Sequence, residues 1–134
     1  MPLTQLTLTK AGDFPTFLNS YQQGKLEGVA VNNDADIDIV AIDTRGMSEY
    51  AIQLINSHAS NGLIYTLYGT AKDIIPTTYN AKEWEAIAGA TATLAAQATK
   101  IESVTKAYSF ILIRAKRQTS LADSQIDVHL RGEK

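Results

Sequence analysis

Four aspartates, Asp34, Asp36, Asp38 and Asp43, come nearest to a chemical constellation in this sequence. A spacing of two residues sets the first three on one side of an extended chain, where carboxylates could gather a calcium ion. A helix–loop–helix calcium loop starting at Asp34 fails, because its sixth position is Ile39 instead of Gly and its twelfth is Arg45 instead of Glu. A solvated acidic strand face is the favoured reading, with a looser calcium site at a sheet rim as its alternative. His58 lies in a polar loop and His129 alternates outward on a strand, with no second histidine or carboxylate at ligand spacing beside either. The chain has no cysteine, which removes thiol nucleophiles, disulfides and cysteine metal sites. It also has no GxSxG, no HExxH, no P-loop and no GxGxxG after a strand, so the common acyl-transfer, metalloprotease and nucleotide signatures are missing. The expectation is no enzyme, no cofactor and no bound metal.

Two surface chemistries remain. Arg114, Lys116 and Arg117 beside Tyr108 and Phe110 resemble the cation-and-aromatic mixture that grips single-stranded nucleic acid. A formal net charge of −2 and only three clustered cations make a weak footprint for that partner, so no nucleic-acid binding is expected. Tyr50, Tyr65, Tyr68, Tyr79 and Trp84 could form a flat aromatic platform for sugar rings, with Trp84, Tyr65 and Tyr68 as the glycan contacts. Core and interface packing is the commoner use of such residues in a β protein.

The elements that must position these residues are read from a chain of 134 residues, one domain's worth, 45% hydrophobic and 19% charged. Its first 71 residues carry three basic and seven acidic residues and the remainder nine and seven, a modest asymmetry that salt screens beyond about 8–10 Å. The N-terminus lacks a basic stretch followed by an apolar one, and no apolar run reaches membrane-spanning length, so the chain is expected to be soluble, unprocessed and free of membrane.

Residues 1–24 contain Pro2, Pro15 and a Gly12-Asp13 turn signal without sustained periodicity, and read as an N-terminal arm. Leu3, Leu6, Leu8, Phe14, Phe17 and Leu18 make it too apolar for a free tail, so it packs either on its own domain or on a neighbour. Residues 25–134 read as the folded domain. Strands are predicted over Asp36–Asp43, Tyr50–Ile55, Leu63–Tyr68 and Ser109–Arg117, with a short one at Glu83–Ile87 and a closing one that alternates through Ile126, Val128 and Leu130. The Ser109–Arg117 strand, apolar on both faces at its start, should lie centrally. The Ala- and Thr-rich residues 88–100 read as irregular with some strand. Short strands between turn signals, with no amphipathic helix, describe an all-β antiparallel β-sandwich, jelly-roll or Ig-like, with an extended arm.

The order of these segments resembles a β-sandwich domain of virion structural proteins in tailed bacteriophages. The likeness rests on an acidic strand ending in Asp43-Thr44-Arg45-Gly46 and leading into Tyr50-Ala51-Ile52-Gln53-Leu54. After it come Ile64-Tyr65-Thr66-Leu67-Tyr68-Gly69-Thr70, the Trp strand Glu83-Trp84-Glu85-Ala86-Ile87, and a final hairpin of Tyr108–Ala115 and Gln125–Leu130. It covers about residues 34–132 and departs in a lengthened Pro76 connection and in the Ala/Thr-rich stretch. What the resemblance implies is a non-enzymatic building block made in the host cytoplasm and resident in the virion, a capsid decoration protein or a head or tail accessory. Its partners would be copies of itself, a trimer favoured, and a major capsid or tail protein. On that reading Leu3, Leu6, Phe14, Phe17, Tyr108 and Phe110 are the interface residues. A carbohydrate-binding sandwich is the alternative.

Overall fold

The computed structural model describes residues 5–6, 9–10, 21–76, 78–106 and 108–133. They form β1 (Gln5–Leu6), β2 (Thr9–Lys10), β3 (Tyr21–Val31), β4 (Ile37–Asp43), β5 (Glu49–Asn56), β6 (Leu63–Thr70), β7 (Glu85–Leu94), β8 (Thr99–Val104), β9 (Phe110–Arg117) and β10 (Ser124–Glu133). Two sheets result, ordered β1-β4-β9-β6-β7 and β2-β3-β10-β5-β8, here called the first and second sheets. Every long-strand pair is antiparallel; the two-residue β1 lies parallel to β4. The fold is an antiparallel β-sandwich.

Alternation drives the burial. Ile52 and Leu54 of β5, Leu63, Tyr65 and Leu67 of β6, Ile111 and Ile113 of β9, and Ile126, Val128 and Leu130 of β10 point between the sheets and fill the main core. β9 occupies the middle of its sheet, as its two-sided apolar pattern requires. At the end of β5, the fully buried Asn56 donates its side-chain amide to the carbonyls of Asn61 and Leu94, both at 2.9 Å, and accepts from the His58 N–H at 2.9 Å. A buried amide with its bonds satisfied locks the 57–62 loop instead of destabilising it.

Three departures from the sequence reading have physical causes. Tyr21–Val31 is an eleven-residue strand that begins inside the stretch read as arm. Its alternation is hidden by a bulge: Leu26 pairs with Val128 and Val29 with Ile126, three residues apart on one strand and two on the other. Gly28 sits at that break with φ +73 and donates its N–H to Asp127 Oδ1 at 2.7 Å. Residues 88–100 supply most of β7 and the start of β8, with a second irregularity in the β6–β7 pairing and Gly89 at φ +76. The expected final hairpin is a crossing between sheets, since β9 belongs to the first sheet and β10 to the second.

Replacing the fully buried Ile113 by Ala should lower unfolding free energy by about 2–5 kcal/mol, whereas Ile101→Ala, at a position 57% exposed, should change it by no more than about 0.5 kcal/mol. Urea unfolding of both variants checks the contrast; a shift of the midpoint without a change in slope marks a stability effect.

Candidate functional site

The acidic strand and the basic strand are neighbours, and they neutralise each other. β4 pairs with β9, setting Asp38 opposite Arg114. Arg114 Nε donates to Asp38 Oδ1 at 2.9 Å and Nη2 donates to the Asp36 carbonyl at 3.1 Å. Arg117 Nε donates to Asp34 Oδ1 at 2.9 Å and Nη1 to Asp123 Oδ1 at 2.8 Å, while the Ser120 hydroxyl donates to Asp34 Oδ2 at 2.9 Å. Asp43 takes both Nε and Nη2 of Arg45, at 2.9 and 2.7 Å. The aspartates therefore diverge onto separate arginines. Among the described residues no three His, Cys, Asp or Glu gather in a metal-binding group. His58 serves its own loop, its Nδ1 accepting the N–H groups of Ser60 and Asn61 at 3.1 and 3.0 Å.

The ion pairs shift the carboxyls in the direction expected. The Ser120 hydroxyl, followed by Arg117, holds Asp34 below the ordinary carboxylate value, and the Arg45 guanidinium does the same for Asp43. The Tyr50 phenol, driven mainly by burial, is pushed up to about 12. Burial also raises Tyr65, helped by its 2.5 Å hydrogen bond to Glu102 Oε2 across the sandwich.

The connection between β6 and β7 folds back over the outer face of the first sheet. Its Ile75 and Tyr79, with Trp84 at its end, cover Ala41 of β4, Phe110 and Leu112 of β9 and Tyr68 of β6, making a second small core. Arginines fasten this flap. Arg114 lies over the Tyr79 ring at 4.0 Å, and Tyr79 meets Tyr68 edge-on at 5.1 Å. Arg45 lies over Phe110 at 4.9 Å and donates to the Asp73 carbonyl at 3.1 Å. Lys72 and Glu83 pair at 2.9 Å across the base of the flap.

This packing decides the aromatic candidates. Trp84 is 3% exposed and Tyr65 fully buried, so with Tyr68 half-buried under Tyr79 they form no open platform for a sugar ring. The order of residues in a strand does not say which face another loop will cover, and the flap took the outer one. Of the expected interface residues, Phe110 is 2% exposed and spent inside its own chain, and Tyr108 is half-buried with its ring against Gly69. Leu3, Phe14 and Phe17 lie outside the described residues, and for Leu6 only the backbone position in β1 is described.

The outer face of the second sheet is the contrasting surface. Register sets Gln23, Arg131 and Ala51 in one row and Lys25, His129, Gln53 and Ile101 in the next, across β3, β10, β5 and β8. These side chains line an open groove of about 630 Å³. The separate, unremarkable polar letters of four strands hide it in the sequence; only their pairing brings them together. Glu27 stands at one end, 3.4 Å from Lys25 Nζ and 3.8 Å from His129 Nε2.

The same sandwich recurs in solved proteins of unlike names. PBSX exported protein XepA has a TM-score of 0.57 at 12% identity, over 83% of this chain and 36% of that one. Tripeptidyl peptidase 2 gives 0.54 at 9% identity, over 97% of this chain and 10% of the larger protein. PirA gives 0.50 at 10% identity, over 89% and 97% of the two chains. These likenesses are of fold. No family model matches the sequence, and no curated protein matches it.

Removing the Arg114 guanidinium should loosen the flap. Arg114→Ala should expose Trp84, seen as a red shift of the single tryptophan's emission, and open residues 71–84 to protease, at a cost of about 1–2 kcal/mol; Arg114→Lys should recover only part of it, since an ammonium cannot fork onto Asp38 and cover Tyr79 together. Acid should weaken the fold through the lowered carboxyls. Because Asp43 titrates lower folded than unfolded, its contribution is present above the ordinary value of 3.8 and is lost as pH falls through the folded value. Urea midpoints of the parent and Asp43→Asn should therefore differ at pH 6, begin to converge only as pH falls below the ordinary value of 3.8, and meet once pH is below the folded value.

Proposed function

We propose that this chain is a non-enzymatic structural protein of a phage particle, a capsid decoration or cement protein that works through contacts between subunits. The observation that carries this reading is how the strands of the N-terminal arm are used. β1 extends the first sheet beside β4 and β2 extends the second beside β3, so one arm closes both sheet edges on that side of the sandwich. Each attachment is only two residues long. The same pairing made onto a neighbouring copy would join subunits at little cost, because an exchanged strand makes the bonds it already makes at home.

The opposite side is built differently. β8 sets Glu102 and Lys100 in the row paired with the buried Ile52 and Leu54, and charges pointing inward at an edge discourage further strands. β7 is interrupted by its irregular pairing with β6. Growth of a sheet is thus discouraged on one side and governed by the arm on the other, as a closed assembly requires. Asp38 and Asp43 of β4 and Arg114 and Arg117 of β9 are spent on holding the flap and turns, which favours a rigid part over a reactive one. The sandwich is shared with PBSX exported protein XepA, a likeness of fold that is compatible with this reading.

Light scattering over a wide concentration range tests the proposal on the full chain and on a form lacking residues 1–10, which removes β1 and β2 and leaves β3 whole. The full chain should run as a concentration-independent trimer or larger ring, and the shortened form should fall to smaller species with unchanged circular dichroism. Equal masses for the two forms would overturn the arm's role.

A further inference from the structure

From the two ends of the sandwich we infer a docking surface for a second copy of this chain, the end carrying Leu121 seated on the end of the next copy that carries Ile74. Leu121 and Ile74 are the most exposed large apolar side chains among the described residues, at 84% and 80%. Leu121 lies between β9 and β10, at the end where β3, β5, β7 and β9 finish, and Ile74 follows β6 at the other end. The Leu121 end is braced. Residues 95–98 and 119–122 are turns, closed by the Ala98 N–H on the Ala95 carbonyl at 3.0 Å and the Ala122 N–H on the Thr119 carbonyl at 3.1 Å. Their third residues, Gln97 at φ 62 and Leu121 at φ 64, are left-handed, where glycine is the ordinary occupant. Asn61 Nδ2 donates to the Asp123 carbonyl at 2.7 Å and the Ser120 hydroxyl to Asp34 at 2.9 Å, so two neighbouring loops hold the leucine's turn in place. A strained, braced turn thus sets an apolar side chain in water, where it buries almost nothing within its own chain.

Charge selects the opposite end as the seat. The four loops of the Leu121 end, residues 32–36, 57–62, 95–98 and 118–123, carry Asp34, Asp36 and Asp123 and no lysine or arginine. Asp34 and Asp123 share the single Arg117 guanidinium, which leaves this end negative. The connections at the other end, residues 44–48, 71–84 and 105–109, carry Arg45, Lys72, Lys82 and Lys106 against Asp73 and Glu83. Lys82 and Lys106 are exposed, and neither is in an ion pair among the described residues. Opposite charge around an apolar pair fits one end to the other and sets like ends apart. A contact between unlike ends is heterologous, so it closes into a ring or runs on as a stack. The inference rests on the reading that copies of this chain assemble, and it adds a contact that the arm does not make.

The chain has no cysteine, so two introduced ones report only on each other. Full-length Leu121→Cys and Ile74→Cys proteins, mixed in equal amounts and oxidised, should give more mixed dimer than the two single-variant dimers combined. Linkage within one chain is barred, since the eight residues of β6 keep the ends about 25 Å apart, beyond the reach of a disulfide. Leu121→Gly separates docking from folding. Glycine relieves the left-handed backbone, so the urea midpoint should hold or rise, while self-association followed by light scattering on dilution should weaken roughly tenfold to a hundredfold, about what burying a leucine side chain contributes. The exposed pair Lys82→Glu, Lys106→Glu should also weaken it without moving the midpoint. Mixed dimer no more abundant than the single-variant dimers, or unchanged association in the Leu121→Gly protein, would overturn the inference. The same mixing on the form lacking residues 1–10 separates it from arm exchange: mixed dimers that persist there uphold the end contact whatever becomes of the arm, and their loss there would overturn it as a contact of its own.

Discussion

The structure turns on the two-sided apolar character of β9. Ile111, Ile113 and Ala115 face the main core, while Phe110 and Leu112 face the other way, out of the sandwich. A two-layer fold leaves such an outer face in water, and two large apolar side chains plus Ala41 beside them would form an exposed patch at the centre of a sheet. The long connection after β6 answers that constraint. Its Ile75, Tyr79 and Trp84 act as a partial third layer, and Trp84 is consumed in the process.

Holding a loop on a sheet costs conformational entropy, and the arginines offset it. Arg114 has Asp38 to fix its guanidinium plane and the flap's Tyr79 ring to cover, while Arg45 has Asp43 to fix its plane, Phe110 of β9 to cover and the flap's Asp73 carbonyl to bond, so each ties the first sheet to the flap. Isolated surface ion pairs contribute little, but Arg114 is largely buried by its neighbours and its pair is correspondingly less screened. Groups that look like a calcium site and a nucleic-acid patch when read apart are thus two halves of one fastening.

An asymmetry follows. One sheet's outer face is covered from within the chain, and on the other the described residues leave a polar groove open. Edges show a parallel asymmetry, with the arm strands on one side and the irregular β7 and charged β8 on the other.

The two-residue period of strands β4, β5, β6, β9 and β10, with their turn residues, determined an all-β sandwich with β9 central, because side-chain alternation is a local property that a linear sequence displays. β3 escaped that reading, since the bulge at Gly28 shifts the apolar positions from every second residue to every third. What only the tertiary structure decided were relations between strands: that Asp38 meets Arg114, that β9 and β10 part to different sheets, that the flap buries Trp84, and that Gln23, Lys25, Gln53, His129 and Arg131 share a groove. Each depends on which strands become neighbours and which face a distant loop covers, and those choices are set by the summed burial of the whole chain instead of by any one segment.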